Sequence, residues 1–282
     1  MSELSQNKSV PLLKMNDGLF IPQLGFGVFK IPERDTRAAV KQAIKTGYRH
    51  IDTAKAYDNE EGVGLGVADS GIERKNIFIA TKVWNSDQGY DNTMRAFEES
   101  TKRLRMNAVD LYLIHWPLPA RDLFVETWKA LIRLKQENRV RSIGVCNFRI
   151  VDLERIIKET GVAPAVNQVE LHPHFQQRQL RIFHDKNNIL TEAWAPLGRG
   201  QFFDDPVLKK IADEHHKTVA QIILRWHMEM GTIAIPKSSS AERMAENFNI
   251  FDFSLTAANH DAIAALDKLD GRMGPDPSEF QA

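Results

Sequence analysis

Short apolar runs recur along the chain, each ending in turn-forming or charged residues, with longer amphipathic stretches between them. The runs Leu24–Gly27, His50–Thr53, Ile77–Lys82, Leu111–His115, Ser142–Asn147, Val166–Glu170, Leu190–Ala195 and Thr232–Pro236 predict strands. Between them, Arg34–Thr46, Thr93–Leu104, Leu123–Asn138, Ile150–Thr160, Arg178–Lys186 and Val219–Met230 predict helices. Within one of these, Trp128, Leu131, Ile132 and Leu134 are spaced much as one buried helical stripe requires. Upstream, Asp17-Gly18 between apolar segments predicts a β-hairpin over Pro11–Pro22.

Strands alternating with helical crossovers make an α/β protein, and eight of them make a (β/α)8 TIM barrel the expected fold, as a single domain over residues 1–282. No linker, low-complexity tract or fixed-period repeat divides the chain. An open doubly wound sheet is the rival, but its glycine fingerprint is missing. Lys30 stands where a third glycine after Gly25 and Gly27 would fall, and Gly62-Val-Gly-Leu-Gly66 follows acids rather than a strand. Those last three glycines fall within a helix after Tyr57, where each costs about 1 kcal/mol relative to alanine, so a locally soft helix is expected.

Composition excludes some classes of function. The 37 Lys and Arg residues balance 37 Asp and Glu residues, so nothing points to a nucleic-acid or membrane partner. The single Cys146 excludes an internal disulfide and suits a reducing compartment. Met1–Lys14 lacks an apolar core long enough for a signal peptide, and no run reaches the length of a membrane span, so a soluble cytoplasmic protein is expected.

Three successive predicted strands end in ionisable residues: Asp52, with Tyr57 five residues on, then Lys82, then His115. Singly, each has an ordinary reading as a turn cap, a surface ring, a snorkelling lysine or a core imidazole. In a barrel, however, C-terminal strand ends converge on one face, and adjacent strands lie about 4.8 Å apart. Tyrosine is a weak acid with a reference pKa of about 10. An ammonium beside the phenol favours the phenolate, and a carboxylate would keep that ammonium charged. A histidine N–H can orient an acceptor oxygen and stabilise negative charge that develops on it.

The runs His50-Ile-Asp-Thr-Ala54, Ala80-Thr-Lys-Val-Trp84, Leu111-Tyr-Leu-Ile-His-Trp-Pro117 and Ile235-Pro-Lys-Ser238 resemble the aldo-keto reductases. The resemblance extends from about Leu12 to Pro277 and is nearest to bacterial reductases of the 2,5-diketo-D-gluconic acid reductase type. It implies NADPH-dependent reduction of aldehydes or ketones by a monomer acting on small-molecule carbonyls, with the hairpin closing the barrel base. It assigns Tyr57 as acid, Lys82 as its tuner, Asp52 as the lysine's partner and His115 as the orienter.

For the cofactor, the resemblance implies Asn147 and Gln168 at the carboxamide, with Asp52 beside them and Cys146 where the family carries a serine. Trp194 matches the ring that stacks on the nicotinamide. Lys237 and Arg243, with Ser238, match the group holding the 2′-phosphate, and Glu246 and Asn247 match adenine contacts. Phe29, Trp84, His115 and Trp116 are the expected substrate-binding residues, and Phe29 alters a mouth that commonly carries tryptophan. The turn-rich tail Asp270–Pro277 is expected to close part of the rim. No metal is expected, because His172-Pro-His174 lacks a completing carboxylate or cysteine cluster. Two alternatives stand beside this reading: a nucleotide-sensing regulatory subunit on the same fold, and a barrel aldolase using Lys82 in a Schiff base.

Overall fold

The computed structural model describes residues 10–281, so the reading of Met1–Lys14 falls largely on residues outside that range. The chain opens with a two-stranded antiparallel hairpin, β1 (Leu12–Lys14) and β2 (Phe20–Pro22), turning at Gly18 with φ +86°. Then come β3 (Phe26–Gly27), α1 (Glu33–Thr46), β4 (His50–Asp52), α2 (Glu60–Ala68), β5 (Phe78–Val83) and α3 (Tyr90–Leu104). The middle of the chain forms β6 (Val109–Ile114), α4 (Phe124–Gln136), β7 (Val140–Cys146), α5 (Ile150–Thr160), β8 (Val166–Glu170), α6 (Arg178–Lys186) and β9 (Leu190–Trp194). The described chain finishes with α7 (Pro206–His215), α8 (Val219–Glu229), β10 (Ile233–Ala234), α9 (Ala241–Phe248) and α10 (Ala257–Ala264).

Strands β3 to β10 form one parallel eight-stranded sheet in sequence order, curled into a TIM-like arrangement. Its two edges meet: Gly25 N–H donates to Ala234 O (2.9 Å), Ala234 N–H to Gln23 O (3.0 Å) and Gly27 N–H to Pro236 O (3.1 Å). Both faces are covered, so β5 and β6 are buried at every position and read as near-continuous apolar runs, broken only by Thr81, Lys82 and Asp110. One layer of core lies between helices and sheet. A smaller cluster, with Met15 and Ile21 of the hairpin packed among Ala80, Leu111, Leu113, Cys146, Val166 and Ile233, fills the space inside the curl.

The hairpin is tied to the N-terminal side of the strands. Asp17 accepts from Ser142 Oγ and Lys135 Nζ, both at 2.6 Å, and Asn16 Nδ2 donates to the carbonyl of Pro164 ahead of β8. The C-terminal strand ends, with their ionisable residues, therefore face the opposite side. No helix among the described residues is long and apolar enough to cross a membrane.

Two features differ from the sequence-based expectation. α10 carries no continuous apolar stripe, burying only Asn259 and Ile263, and its start is set by a Thr256–Asn259 capping box rather than by periodicity. The second concerns α2, which is not a loosely packed element. A Cβ at Gly62 would approach Thr36 Cβ to 2.8 Å, one at Gly66 would approach Val40 Cβ to 2.7 Å, and one at Gly64 would lie 2.2 Å from the carbonyl oxygen of Leu104. The glycines let α2 press directly onto α1 and the end of α3, so the propensity cost is offset by contact.

Gly64→Ala sets these two effects against each other. Helix propensity alone would stabilise the variant by about 1 kcal/mol. Overpacking costs about 1–3 kcal/mol, and here the obstacle is backbone that cannot swing aside. We expect a lower thermal midpoint than wild type, and an equal or higher one would show that α2 can shift without loss.

Candidate active site

The sheet brings Asp52, Lys82, His115 and Tyr57 together. β4 ends at Asp52, and the register Asp52↔Ala80 puts Lys82 two residues further along the neighbouring strand. Lys82 is fully buried; its Nζ donates to Asp52 Oδ1 (2.6 Å) and to Thr53 O (2.8 Å), and lies 3.4 Å from Tyr57 Oη. The hydroxyl of Tyr57 is thus within contact range of the ammonium.

A short 3-10 turn, Lys55–Tyr57, carries the tyrosine, and three anchors fix it. Asn59 donates to Val28 O and Ile31 O (3.0 Å each) and accepts from Thr53 Oγ1 (2.8 Å). Lys55 Nζ donates to Asp87 Oδ2 at 2.5 Å. Buried Glu60, opening α2, accepts from Thr81 Oγ1 (2.5 Å) and Arg103 Nε (2.8 Å). The polar run after Tyr57 therefore sets the position of the ring.

Electrostatics follows burial and neighbours. Attraction to Asp52 and Tyr57 outweighs desolvation at Lys82 and raises its pKa, so it stays charged. Burial pushes Tyr57 up to about 12, opposed by the Lys82 ammonium. Sequence identifies the ammonium that lowers the phenol's pKa; the structure adds burial, which is the larger effect. His115 is held well below its ordinary value, first by burial and then by Lys82, and is neutral at physiological pH.

Rings surround the tyrosine. His115 lies edge-on to Tyr57 (5.7 Å) and to Trp84 (4.9 Å), and half-exposed Phe29 tilts over Tyr57 at 5.0 Å. Trp116 is buried and packs on Phe280 at 4.2 Å. Sequence reading missed Phe280, since a lone phenylalanine in a turn-rich tail carries no periodic signal. The tail is pinned by Glu170 at the end of β8, which accepts from the backbone N–H of Met273 (2.6 Å) and Gly274 (2.8 Å), and Gly274 sits against the Trp194 ring.

On the other side of the site, Asn147, in left-handed backbone conformation (φ +62°), donates to His115 O (3.0 Å) and accepts from Trp194 Nε1 (2.8 Å). Its amide keeps one N–H and one lone pair for a ligand. Gln168 Nε2 donates to Asp52 Oδ2 (3.0 Å) and Glu192 Oε2 (3.1 Å), leaving its Oε1 to accept. Cys146 is placed differently: with 0% exposure it lies in the apolar interior, and burial pushes its thiol pKa well up, so it presents no surface to a ligand.

Further round, Lys237 and Arg243 are exposed, while Ser238 is buried and bonded to Ser240, the residue that caps α9. Asn247 is buried, and Glu246 accepts from Thr218 Oγ1 at 2.8 Å. Two amides, an indole ring and a pair of exposed cations beside a helix start fit a nicotinamide dinucleotide carrying an extra phosphate. Among the described residues no cluster of His, Cys, Asp or Glu could hold a metal ion.

Comparison with known proteins places this geometry. The protein named methylglyoxal reductase DkgA of Yersinia pestis is 48% identical over 274 residues, covering 96% of this chain and 97% of its own. The glyoxal reductase of Bacillus subtilis is 48% identical over 269 residues, covering 95% and 96%. A solved structure of an aspartate-to-alanine variant of Gox0644 in complex with NADPH matches with a TM-score of 0.94 at 51% identity, covering 98% of this chain and all of that one. The model of the Aldo/keto reductase family matches residues 23–268, and with strand-end residues, sheet order and relatives in agreement, the chain belongs to that family.

Proposed function

We propose that this protein reduces aldehydes and ketones to alcohols using NADPH, with Tyr57 giving the proton to the carbonyl oxygen. The observation that carries the reading is the Tyr57 hydroxyl 3.4 Å from an ammonium that is itself fixed on Asp52 at 2.6 Å. NADPH, when bound, supplies the hydride. Tyr57 stays protonated until negative charge grows on the substrate oxygen, and Lys82 then stabilises the phenolate left behind. Neutral His115 offers an N–H to the same oxygen and orients it.

Asn147 and Gln168 would hold the carboxamide, Trp194 would cover the ring, Lys237, Ser238 and Arg243 would hold the 2′-phosphate, and Glu246 and Asn247 would border the adenine. Trp84 beside His115 and Phe29 over Tyr57 would make an aromatic mouth, with Trp116 packed behind on Phe280, and with relatives named for glyoxal and methylglyoxal this favours small dicarbonyls and short aldehydes as substrates. A Schiff base on Lys82 would need a neutral amine, and the ion pair with Asp52 opposes that form. The reading takes the chain as one (β/α)8 barrel plugged at its base by the hairpin, a cytoplasmic monomer; the meeting sheet edges, single cysteine and balanced charge support it.

Tyr57→Phe should lower kcat by roughly 10²–10⁴-fold, the usual contribution of a positioned acid, while leaving the Kd for NADPH unchanged. NADPH absorbance with methylglyoxal and cofactor fluorescence titration measure the two quantities, and a Kd that rises in parallel with the loss of rate would misplace Tyr57 as a binding residue.

Lys237→Ala combined with Arg243→Ala should raise the Kd for NADPH about tenfold or more, a charge-assisted hydrogen bond being worth about 1.5–3 kcal/mol, and leave NADH binding nearly unchanged. Equal weakening of both cofactors would remove the phosphate assignment.

A further inference from the structure

The interior holds a second carboxyl group that the chemistry above does not use. β9 sets Glu192 directly opposite Gln168 of β8, and both are buried, Glu192 with 0% exposure. The single amide nitrogen of Gln168 serves two carboxyl groups, donating one N–H to Asp52 Oδ2 (3.0 Å) and the other to Glu192 Oε2 (3.1 Å). The nearby cation, Lys82, bonds to Asp52 and Thr53 O. Glu192 Oε1 has no hydrogen-bond partner and faces His50 Nε2 at 3.6 Å, too long for a hydrogen bond, and the Pro22 backbone is the other polar neighbour of the His50 ring. A Cβ at Gly25 would lie 2.7 Å from His50 Nδ1, so the glycine leaves room for the ring there.

We propose that Glu192 is a positioning residue that carries a proton at neutral pH, and that by staying uncharged it leaves Asp52 as the single anion opposing Lys82 beneath Tyr57. A buried carboxylate with one amide donor and no cation of its own is costly, and two carboxylates sharing that donor repel. One proton relieves both. Burial, then Asp52, pushes Glu192 up to about 8, while burial pulls His50 down to about 4, so the proton sits on the carboxyl and the imidazole is neutral. The titratable groups facing the pair are Asp52 from β4, Lys82 from β5 and the protonated Cys146 thiol from β7, with Asp110 acting on His50, and Tyr57 is linked to the pair through Asp52 and Lys82. β10 presents apolar Ile233 opposite Glu192.

The sign follows. As pH rises through about 8, ionised Glu192 adds negative charge beside Asp52, which stabilises protonated forms and makes Tyr57 a weaker acid. Proton donation therefore falls on the alkaline side. Because the folded pKa lies above the ordinary carboxylate value, the folded state keeps a proton that the unfolded chain has lost, and stability declines between the ordinary carboxylate range and about pH 8.

The kinetic consequence rests on the reductase reading above; the protonation itself does not. Glu192→Gln keeps the shape and the acceptor for Gln168 without a titrating proton. In cofactor-free wild type we expect an infrared carboxylic-acid C=O band at neutral pH that disappears through about pH 8 and is missing in Glu192→Gln. The thermal midpoint of wild type should fall relative to the variant over the same window. With NADPH and methylglyoxal, kcat/KM of wild type should show an alkaline inflection near pH 8 that the variant lacks. No titrating acid band in wild type, with midpoints that stay parallel, would overturn the proposal by showing Glu192 ionised. A titrating band with superimposable pH–rate profiles would overturn it too, since the charge would then not reach Tyr57. An absence of reductase turnover in wild type would defeat the proposed function while the infrared and thermal measurements still decide the proton.

Discussion

A fully buried ammonium held against a carboxylate is the interaction on which the rest of this molecule depends. Taking Lys82 and Asp52 out of water costs several kcal/mol per ion, and only close, well-directed partners offset it. Asp52 Oδ1 at 2.6 Å and the carbonyl of Thr53 at 2.8 Å supply them. Both acceptors come from the last residues of one strand and the first of its loop, and the donor comes from the adjacent parallel strand. Removing either member would leave an uncompensated charge inside the sheet, typically a loss of about 3–5 kcal/mol. The same pair that the proposed chemistry uses thus also constrains how β4 and β5 align.

The tyrosine depends on that pair, and on a scaffold that holds its short turn. Asn59 ties the turn to the segment carrying Phe29, Lys55 ties it to the loop after β5, and Glu60 ties the start of α2 to Thr81 and Arg103. α2 can hold these positions because Gly62, Gly64 and Gly66 let it lie flush on α1 and on the end of α3. Residues poor in helix propensity are here the means by which a helix is placed, and packing decides the balance.

How much of this could be read from sequence depended on the kind of signal each residue leaves. Asp52, Lys82 and His115 stand at the ends of apolar runs, and a parallel sheet covered on both faces makes such runs conspicuous, so their convergence was legible before any coordinates. Val166–Glu170, Ile150–Thr160 and Arg178–Lys186 were readable to the residue, the strand from its place between two helices and the helices from their amphipathic spacing. Glu192 was not. One acid in a strand reads as a solvent-facing position, and its burial follows only from which side chains stand across the sheet. Phe280 and α10 lack periodicity, and the contacts of the three α2 glycines are set by helices distant in sequence. Cys146 looked like a substituted ligand from its place in a motif, whereas its depth in the interior is a tertiary fact.

The acidity of Tyr57 joins these threads. Its neighbours suggest a phenol made more acidic, yet burial holds it at about 12. These effects act at different stages of the proposed reaction. Burial keeps the proton in place while no charge is present to receive it, so the donor is fully protonated at rest. The ammonium at 3.4 Å matters most when negative charge has passed to the phenol oxygen, because a cation in a poorly screened interior interacts far more strongly with a phenolate than with a phenol. Low polarity and a fixed cation are then complementary: the first prevents premature loss of the proton, and the second lowers the barrier to its transfer. Such a balance tolerates one anion paired with Lys82 and is weakened by a second, which is the physical reason that the charge state of Glu192 bears on a proton that Glu192 never touches.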